Sequence, residues 1–329
     1  MTAALQRDFP GVVVATVTVA DVVDGTNSRA QVQVRYRDGC GPAQVFVKRE
    51  GRLLHRLALT ALGAREAEAR LAATAIELPL ERPACYAAAV ERRRLATTVV
   101  MEDVTLRGGV PNDIVRGLTV EQVASGLAGL ARLHAAWWQR ALPDFVRRWR
   151  LGRRWMPVSA AGLASARHRL RALGAADLVP AAVRTSELEH GFRGWADVAA
   201  SGPQTLLHGD PHVGNTYTLP GDAVGFYDWQ LVRAGSWAHD VGYFCVSSLD
   251  VADRRANERD LLGAYLAELA RHPAGGGDPV DAWVQYRRAP VYGLAAWMHS
   301  LAGRRFQPDD ACLAMIERFA AAYTDHRRR

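Results

Sequence analysis

The first hundred residues contain short stretches of β-branched or alternating side chains that are separated by turns. Residues 12–19 are almost entirely Val and Thr, and residues 31–37 alternate between polar and apolar side chains, which is the period of a half-buried strand. The segments 44–48, 85–91 and 95–102 predict three further strands. Together they predict a small, mainly antiparallel sheet.

Helical spacing of apolar residues takes over in two parts of the chain. Residues 52–76 predict a helix that packs on the sheet. From Thr119 the chain becomes mainly helical, and Thr119 with Gln122 fits a capping box at the start of a long helix. An arginine-rich, helix-like segment follows at residues 140–202.

Short strands and a proline interrupt this helical part. The segments 205–207, 216–219 and 223–227 predict three short strands, the last two joined by a turn. Pro290 is expected to kink or end a helix, because proline cannot donate the hydrogen bond of a helix interior.

These patterns divide the chain into a β-rich first third and an α-rich remainder. They predict an α+β fold with two lobes and a cleft between them. We assign residues 1–103 to a small antiparallel N-terminal lobe and residues 104–329 to a larger helical C-terminal lobe. Residues 140–202 would form a helical insertion in the second lobe.

The composition is that of a folded chain without a membrane span. With 329 residues, of which 49% are hydrophobic, the chain can bury a sizeable core. The longest apolar stretch, from Pro290 to Gly303, is too short to cross a bilayer. Arg7 and Asp8 precede a Val and Thr alternation instead of a signal-peptide pattern, so we expect a cytoplasmic protein.

Cysteine content and charge disfavour two further classes of protein. The cysteines at positions 40, 85, 245 and 312 lack Cys-x-x-Cys spacing, which disfavours a zinc site or a disulfide framework. The net charge of +7 comes from arginines spread along the chain, not from a basic run interleaved with aromatic residues. We therefore expect a small-molecule partner, no nucleic acid or membrane partner, and a monomer or homodimer.

Lys48 is exceptional in this arginine-rich chain. It is the only lysine among the 41 Lys and Arg residues. An ammonium group is compact, whereas a guanidinium group is planar, and the two are not interchangeable where geometry matters. Position 48 is therefore predicted to need an ammonium group.

The densest group of polar functional side chains is the run His208-Gly209-Asp210-Pro211-His212-Val213-Gly214-Asn215, and Asp228 follows thirteen positions after Asn215. Phosphoryl transfer needs a carboxylate beside the attacking hydroxyl and oxygen ligands that hold magnesium against the phosphates. Asp210, Asn215 and Asp228 offer these groups. Magnesium binds few protein oxygens and takes its other ligands from water and phosphate.

This combination resembles the aminoglycoside phosphotransferase and choline kinase superfamily, over about residues 20 to 250. The Asp228-Trp229-Gln230 segment is closer to the ecdysteroid-kinase-like branch. The resemblance implies a bilobal, protein-kinase-like fold that uses ATP and Mg²⁺. It also implies that Asp210 is the catalytic base and that Asn215 and Asp228 are magnesium ligands.

The resemblance assigns supporting roles to residues around the base. His208 and His212 would support the loop that contains Asp210. Asp240, in the run Trp237-Ala238-His239-Asp240, would brace the same loop and would be structural rather than reacting.

The remaining nucleotide contacts are implied for the N-terminal lobe. Lys48 matches the strand lysine that contacts the nucleotide phosphates. Glu68 is our choice for the helix carboxylate that pairs with it, and Glu66 is the alternative. Backbone groups near Glu102 would recognise adenine, while the turn that includes Asn27 and Ser28 would offer N–H groups and a hydroxyl to phosphate.

The charge of the predicted acceptor region bears on the substrate. Residues 141–207 contain ten arginines and five acidic residues. A polycationic aminoglycoside would call for carboxylates, so we expect a neutral or hydrophobic alcohol as the acceptor, or a weakly anionic one. The nearby tryptophans leave packing or an aromatic substrate wall as alternatives; they are Trp137, Trp138, Trp149, Trp155 and Trp195.

Other functions remain as alternatives to the small-molecule kinase. A nucleotide-binding pseudokinase or regulatory module would retain the fold without turnover. An aminoglycoside-resistance kinase would conflict with the charge of the acceptor region. A metal-dependent hydrolase would use His208, Asp210 and His212 as metal ligands, but the sequence contains no second histidine cluster to complete such a site.

Overall fold

The computed structural model describes residues 1–24, 27–50, 66–74, 76, 78–91, 93, 96–148, 160–272, 279–303 and 307–327. The strands in it are β1 (Val13–Asp24), β2 (Asn27–Asp38), β3 (Gln44–Glu50), β4 (Cys85–Glu91), β5 (Ala96–Glu102), β6 (Val110–Pro111), β7 (Arg147–Arg148), β8 (Thr205–Leu207), β9 (Thr216–Thr218), β10 (Val224–Phe226) and β11 (Arg233–Gly235). The helices are α1 (Thr2–Leu5), α2 (Ala67–Ala73), α3 (Val120–Ala136), α4 (Ala160–Ala172), α5 (Thr185–Ala200), α6 (Ala238–Ser248), α7 (Val251–Ala270), α8 (Pro279–Tyr286), α9 (Pro290–Gly303) and α10 (Asp309–Arg327).

The N-terminal part forms a five-stranded antiparallel sheet in the order β1-β2-β3-β5-β4. The strict alternation of β2 buries Val32 and Val34 on one face, where they join Val45 and Val100 in a small core. The opposite face of β2 and β3 is consequently available to the cleft. β1 and β2 are longer than the predicted strands. The predicted helix at residues 52–76 is described only from Ala67, as α2.

The C-terminal part is mainly helical and surrounds a larger core. The predicted capping box is confirmed, because the Thr119 side chain accepts a hydrogen bond from the backbone N–H of Gln122 and the Gln122 side chain accepts one from the backbone N–H of Thr119. Within the segment predicted as helix-like, α4 and α5 are present, but β7 was missed because its pairing partner β11 is remote in sequence. The expectation that Pro290 kinks or ends a helix is wrong, because Pro290 begins α9, a position where its missing N–H costs no helical hydrogen bond.

The predicted α+β class is confirmed, with an antiparallel sheet followed by a helical region. Helix α2 lies where the two parts meet, because Ala67 and Leu71 belong to the larger core while the helix also packs against β4. The boundary after residue 103 stays a prediction. In the parts of the chain listed above, no helix is long and apolar enough to cross a membrane.

Candidate active site

The side chain of Lys48 connects three elements that are remote in sequence. Its Nζ atom lies 2.6 Å from Oε2 of Glu68 on α2 and 2.6 Å from Oδ1 of Asp228, which follows β10. The side chains of Lys48 and Glu68 are only 6% and 11% exposed, so water screens this ion pair weakly. Of the two predicted alternatives, Glu68 pairs with the lysine, whereas Glu66 occupies the N-cap position of α2.

Glu68 also fixes the backbone that follows Asp228. Its Oε1 atom accepts a hydrogen bond from the backbone N–H of Trp229, at 3.1 Å. Leu71, one turn further along α2, is buried in the larger core and anchors the helix. One carboxylate therefore connects the ammonium group on β3 with the segment after β10.

Asp228 adopts an uncommon backbone conformation between two cations. Its φ of 66° lies in the left-handed region, which non-glycine residues seldom occupy and which recurs at functional sites. Its Oδ2 atom accepts a hydrogen bond from Nη2 of Arg29, at 2.8 Å. Burial alone would raise the pKa of Asp228, but the charges of Lys48 and Arg29 outweigh burial and hold this pKa below its usual value. The carboxylate is therefore ionised at neutral pH.

The sequence did not identify Arg29 as a site residue. Arg29 on β2 lies directly opposite Lys48 on β3, and residues paired in this way project from the same face of a sheet. Arg29 belongs to no motif and is one of many arginines. Only the strand register, which the sequence pattern did not specify, could have identified it.

Asp210 and Asn215 form a second pair beside Asp228. Nδ2 of Asn215 donates to the backbone oxygen of Asp210 at 2.9 Å and to its Oδ2 at 3.2 Å. The backbone oxygen of Asn215 accepts a hydrogen bond from the N–H of Tyr227, at 3.0 Å, which places Asn215 next to Asp228. Burial, and next the negative charge of Asp228, raise the pKa of Asp210 to about 8.

The backbone before Asp210 is held by Asp240 on α6. Oδ2 of Asp240 accepts from the N–H of His208 at 2.7 Å, and Oδ1 accepts from the N–H of Gly209 at 3.0 Å. Gly209 has a φ of +85°, and a Cβ atom there would lie 2.0 Å from the backbone oxygen of Leu231. The loop therefore needs glycine at this position. His134 on α3 is fully buried and lies 3.4 Å from Oδ2 of Asp240 through Nε2.

His208 and His212 bond to the backbone of the same loop. Nε2 of His208 donates to the backbone oxygen of Tyr227 at 3.1 Å, so its Nδ1 is the acceptor for the N–H of Asp210 at 3.3 Å. Nδ1 of His212 accepts from the N–H of Gly214 at 3.1 Å. Burial lowers the pKa of both imidazoles, that of His212 to about 3, so both are neutral.

These contacts disfavour a hydrolase-type metal centre. Both ring nitrogens of His208 are engaged with backbone groups. Within the described ranges, no group of three or more His, Cys, Asp or Glu side chains is arranged to hold a metal ion. Magnesium needs fewer protein ligands, because phosphate and water complete its octahedron. The carboxylate of Asp228 and the amide oxygen of Asn215 are hard oxygen donors that suit this ion.

A cavity of about 120 Å³ adjoins the charged cluster. Its apolar walls come from Phe46, Pro83, Met101 and Val104, and its charged end from Arg29, Lys48 and Asp228. Glu102, predicted to lie at the adenine-binding hinge, ends β5 and lines this cavity. The turn predicted to offer N–H groups and the Ser28 hydroxyl to phosphate includes residues 25 and 26, which lie outside the described residues, as do the side chains of Asn27 and Ser28.

Aromatic side chains and one arginine lie near Asp210. Tyr243 and Tyr292 are in edge contact, with ring centroids 5.5 Å apart, and Nε1 of Trp297 donates to the Tyr243 hydroxyl at 3.0 Å. Burial raises the pKa of both tyrosines, and the charge of Asp210 adds to this increase. The positive charge of Arg233 opposes the increase in the pKa of Asp210. Sequence reasoning missed all four residues, because their helices and strand meet Asp210 only in the folded chain.

Of the predicted tryptophans that can be placed, Trp195 donates from Nε1 to Nδ1 of His239, whose Nε2 lies 3.1 Å from the backbone oxygen of Gly209, and it also lines a second cavity. Trp195 is only 2% exposed in the larger core, and Trp137 and Trp138 pack against that core. Trp149 and Trp155 lie outside the described residues. The second cavity, of about 500 Å³, lies between α5, α8, α9 and α10. The described residues that line it include Arg287, Arg288 and Arg327 and no acidic residue.

The fold is of the bilobal, protein-kinase-like type. Residues 186–274 match the model of the ecdysteroid kinase-like family, and this segment contains Asp210, Asn215, Asp228 and Asp240. The predicted resemblance to the kinase-like superfamily and to its ecdysteroid-kinase-like branch is confirmed. A comparison with curated protein sequences finds no match.

Solved structures of choline kinases have a similar fold. Choline kinase from Cryptosporidium parvum superposes with a TM-score of 0.51 and 11% identity, over 95% of this chain and 89% of that one. Choline kinase LicA from Streptococcus pneumoniae gives 0.50 and 12%, over 96% and 94% of the two chains. A structure of LicA in complex with AMP gives 0.51 and 11%, over 94% and 93%. At these identities the similarity establishes the fold alone.

Proposed function

We propose that this protein is an ATP- and Mg²⁺-dependent O-phosphotransferase that phosphorylates a hydroxyl group of a small molecule. The observation that carries the proposal is the convergence at one hairpin of the Lys48–Glu68–Asp228 cluster and the Asp210–Asn215 pair. A buried ammonium group, two hard oxygen donors and a carboxylate with a raised pKa are the groups that phosphoryl transfer requires.

Each residue has a defined part in the proposed reaction. The acceptor hydroxyl oxygen attacks the γ-phosphorus, the bond from that phosphorus to the β–γ bridging oxygen breaks, and ADP leaves. Asp210 accepts the proton of the hydroxyl, and Lys48 binds phosphate oxygens while Glu68 holds it in place. Asp228 and Asn215 would hold magnesium, which would neutralise phosphate charge when bound.

We further propose that the acceptor is a neutral or hydrophobic alcohol, or a weakly anionic one. Arginine exceeds acidic residues in the predicted acceptor region, and arginines line the larger cavity without a carboxylate among its described lining residues. Tyr243, Tyr292 and Arg233 lie close enough to Asp210 to interact electrostatically with it. This environment suits an apolar or aromatic alcohol better than a polyamine, whose ammonium groups would need carboxylates.

The test is a product search with purified protein, Mg²⁺ and ATP. Aminoglycosides, choline-like amines, sugars, sterols and other hydrophobic alcohols would each be incubated, and mass spectrometry would detect a product heavier by one phosphoryl group. Asp210→Ala is the inactive control, and Asp197→Ala, which removes an exposed carboxylate on α5, is the matched control that should remain active. Nucleotide binding without a product from any acceptor would favour the pseudokinase alternative.

A further inference from the structure

Both carboxylate oxygens of Asp228 have a cationic partner. Lys48 lies 2.6 Å from Oδ1 and Arg29 lies 2.8 Å from Oδ2. We infer that Arg29 is a second phosphate-binding cation of this site, paired with Asp228 in the nucleotide-free protein and transferred to the nucleotide phosphates when magnesium binds. This inference rests on the proposed function and assigns a role to a residue outside every motif of the sequence.

The position of Arg29 is fixed by strand register. Arg29 on β2 is the direct cross-strand partner of Lys48 on β3, and Gln31, two residues further on, lines the same cavity. Alternation therefore directs both Arg29 and Lys48 towards the cleft. A guanidinium group in this position can form paired hydrogen bonds with phosphate oxygens.

The two cations are held with different strength. Lys48 has a second carboxylate partner in Glu68, and its side chain is 6% exposed. Arg29 has Asp228 as its only carboxylate partner among the residues whose side chains are placed, and its side chain is 35% exposed. Arg29 should therefore dissociate from Asp228 more readily than Lys48 does.

Arg29 and magnesium compete for the same carboxylate. A divalent ion bound to Oδ2 would repel a guanidinium group 2.8 Å from that atom, and burial weakens the screening of this repulsion. Arg29 therefore opposes metal binding in the absence of nucleotide. When nucleotide is present, the guanidinium group of Arg29 can bind phosphate oxygens and so favours nucleotide binding.

The test compares Arg29→Gln with the matched control Arg35→Gln, an exposed arginine on the same strand. Mn²⁺ binding to the nucleotide-free protein is measured by electron paramagnetic resonance, and binding of the non-hydrolysable analogue AMP-PNP with Mg²⁺ by calorimetry. Charge-assisted hydrogen bonds of this kind predict changes of about tenfold. Arg29→Gln should bind Mn²⁺ about tenfold more tightly and AMP-PNP with Mg²⁺ about tenfold more weakly, whereas Arg35→Gln should match the wild type.

Opposite changes in the two affinities distinguish this role from a structural one. A loss of both affinities, or no change in either, would overturn the inference and leave the proposed function intact. Failure of the wild type to bind AMP-PNP would overturn the proposed function as well. Should Arg29→Gln fold poorly by circular dichroism, Arg29→Lys provides the same test, because a shorter cation should retain part of both effects.

Discussion

Lys48 and Asp228 are 180 positions apart in the chain, yet Nζ of the lysine lies 2.6 Å from Oδ1 of the aspartate. This contact joins the N-terminal sheet to the hairpin of the C-terminal part. Glu68 completes the arrangement by accepting from both Lys48 and the backbone of Trp229. The site therefore depends on the relative positions of a strand, a helix and a hairpin.

Replacing the only lysine tests whether its geometry matters. Lys48→Arg keeps the charge, but a planar guanidinium cannot occupy the compact position between Glu68 and Asp228. We expect kcat/KM for ATP to fall about tenfold or more, as measured by ADP release in the presence of the identified acceptor. Arg49→Lys, an adjacent exposed position on β3, is the matched control. A Lys48→Arg variant with wild-type kcat/KM would mean that the lone lysine carries no special role.

Removing the carboxylate of Asp210 should separate binding from transfer. Asp210→Ala is expected to lower kcat by about a hundredfold or more, because it removes the proposed acceptor of the hydroxyl proton. The affinity for ATP with Mg²⁺ should stay within about threefold of the wild type, since Lys48 and Asp228 remain. Product formation by mass spectrometry and nucleotide binding by calorimetry measure the two effects. Near-normal turnover in this variant would refute the assignment of the base.

The raised pKa of Asp210 predicts a pH dependence. Because its pKa is about 8 in the nucleotide-free protein, Asp210 is mostly protonated at neutral pH, and a base must be ionised to act. Hence kcat/KM should increase as the pH rises through about 8. Raising the Mg²⁺ concentration should move this increase to lower pH, because a cation on Asp228 offsets the negative charge that contributes to the shift. A pH profile that Mg²⁺ leaves in place would contradict this account.

Asp240→Asn tests whether Asp240 holds the loop that contains Asp210. Both carboxylate oxygens of Asp240 accept backbone N–H groups, so an amide would place its NH₂ against one donor. We expect the free energy of unfolding to fall by about 1–3 kcal/mol in chemical denaturation at neutral pH. Asp197→Asn, an exposed carboxylate, should have almost no effect.

The pH dependence of this stability difference has a defined sign. Burial raises the pKa of Asp240, but the hydrogen bond with His134 and the electrostatic interactions with the neighbouring imidazole rings outweigh burial and lower it. A carboxyl with a lowered pKa stabilises the fold above its unfolded pKa and loses this contribution as the pH falls through the folded pKa. The difference between wild type and Asp240→Asn should therefore shrink in acid. A constant difference from neutral to acid pH would argue against an ionised Asp240.

Local sequence signals determined the order of the elements and much of the candidate chemistry. The alternation in β2, the capping box at Thr119 and the strand ends before Asp210 and Asp228 are short-range patterns, and such patterns specify local structure. The sequence also narrowed the partner of Lys48 to Glu68 or Glu66. The roles of Asp210, Asn215 and Asp228 in catalysis stay predictions.

Only the tertiary structure decided which remote groups meet. It selected Glu68, placed Arg29 on Asp228 across 199 positions, and brought Tyr243, Tyr292 and Arg233 towards Asp210. Hydrophobic periodicity predicts which face of a helix or strand is buried. It does not predict which other element that face packs against, or the register in which two strands pair. Those relationships depend on how the strands pair and the helices pack, and so does the electrostatic environment that sets the pKa of Asp210.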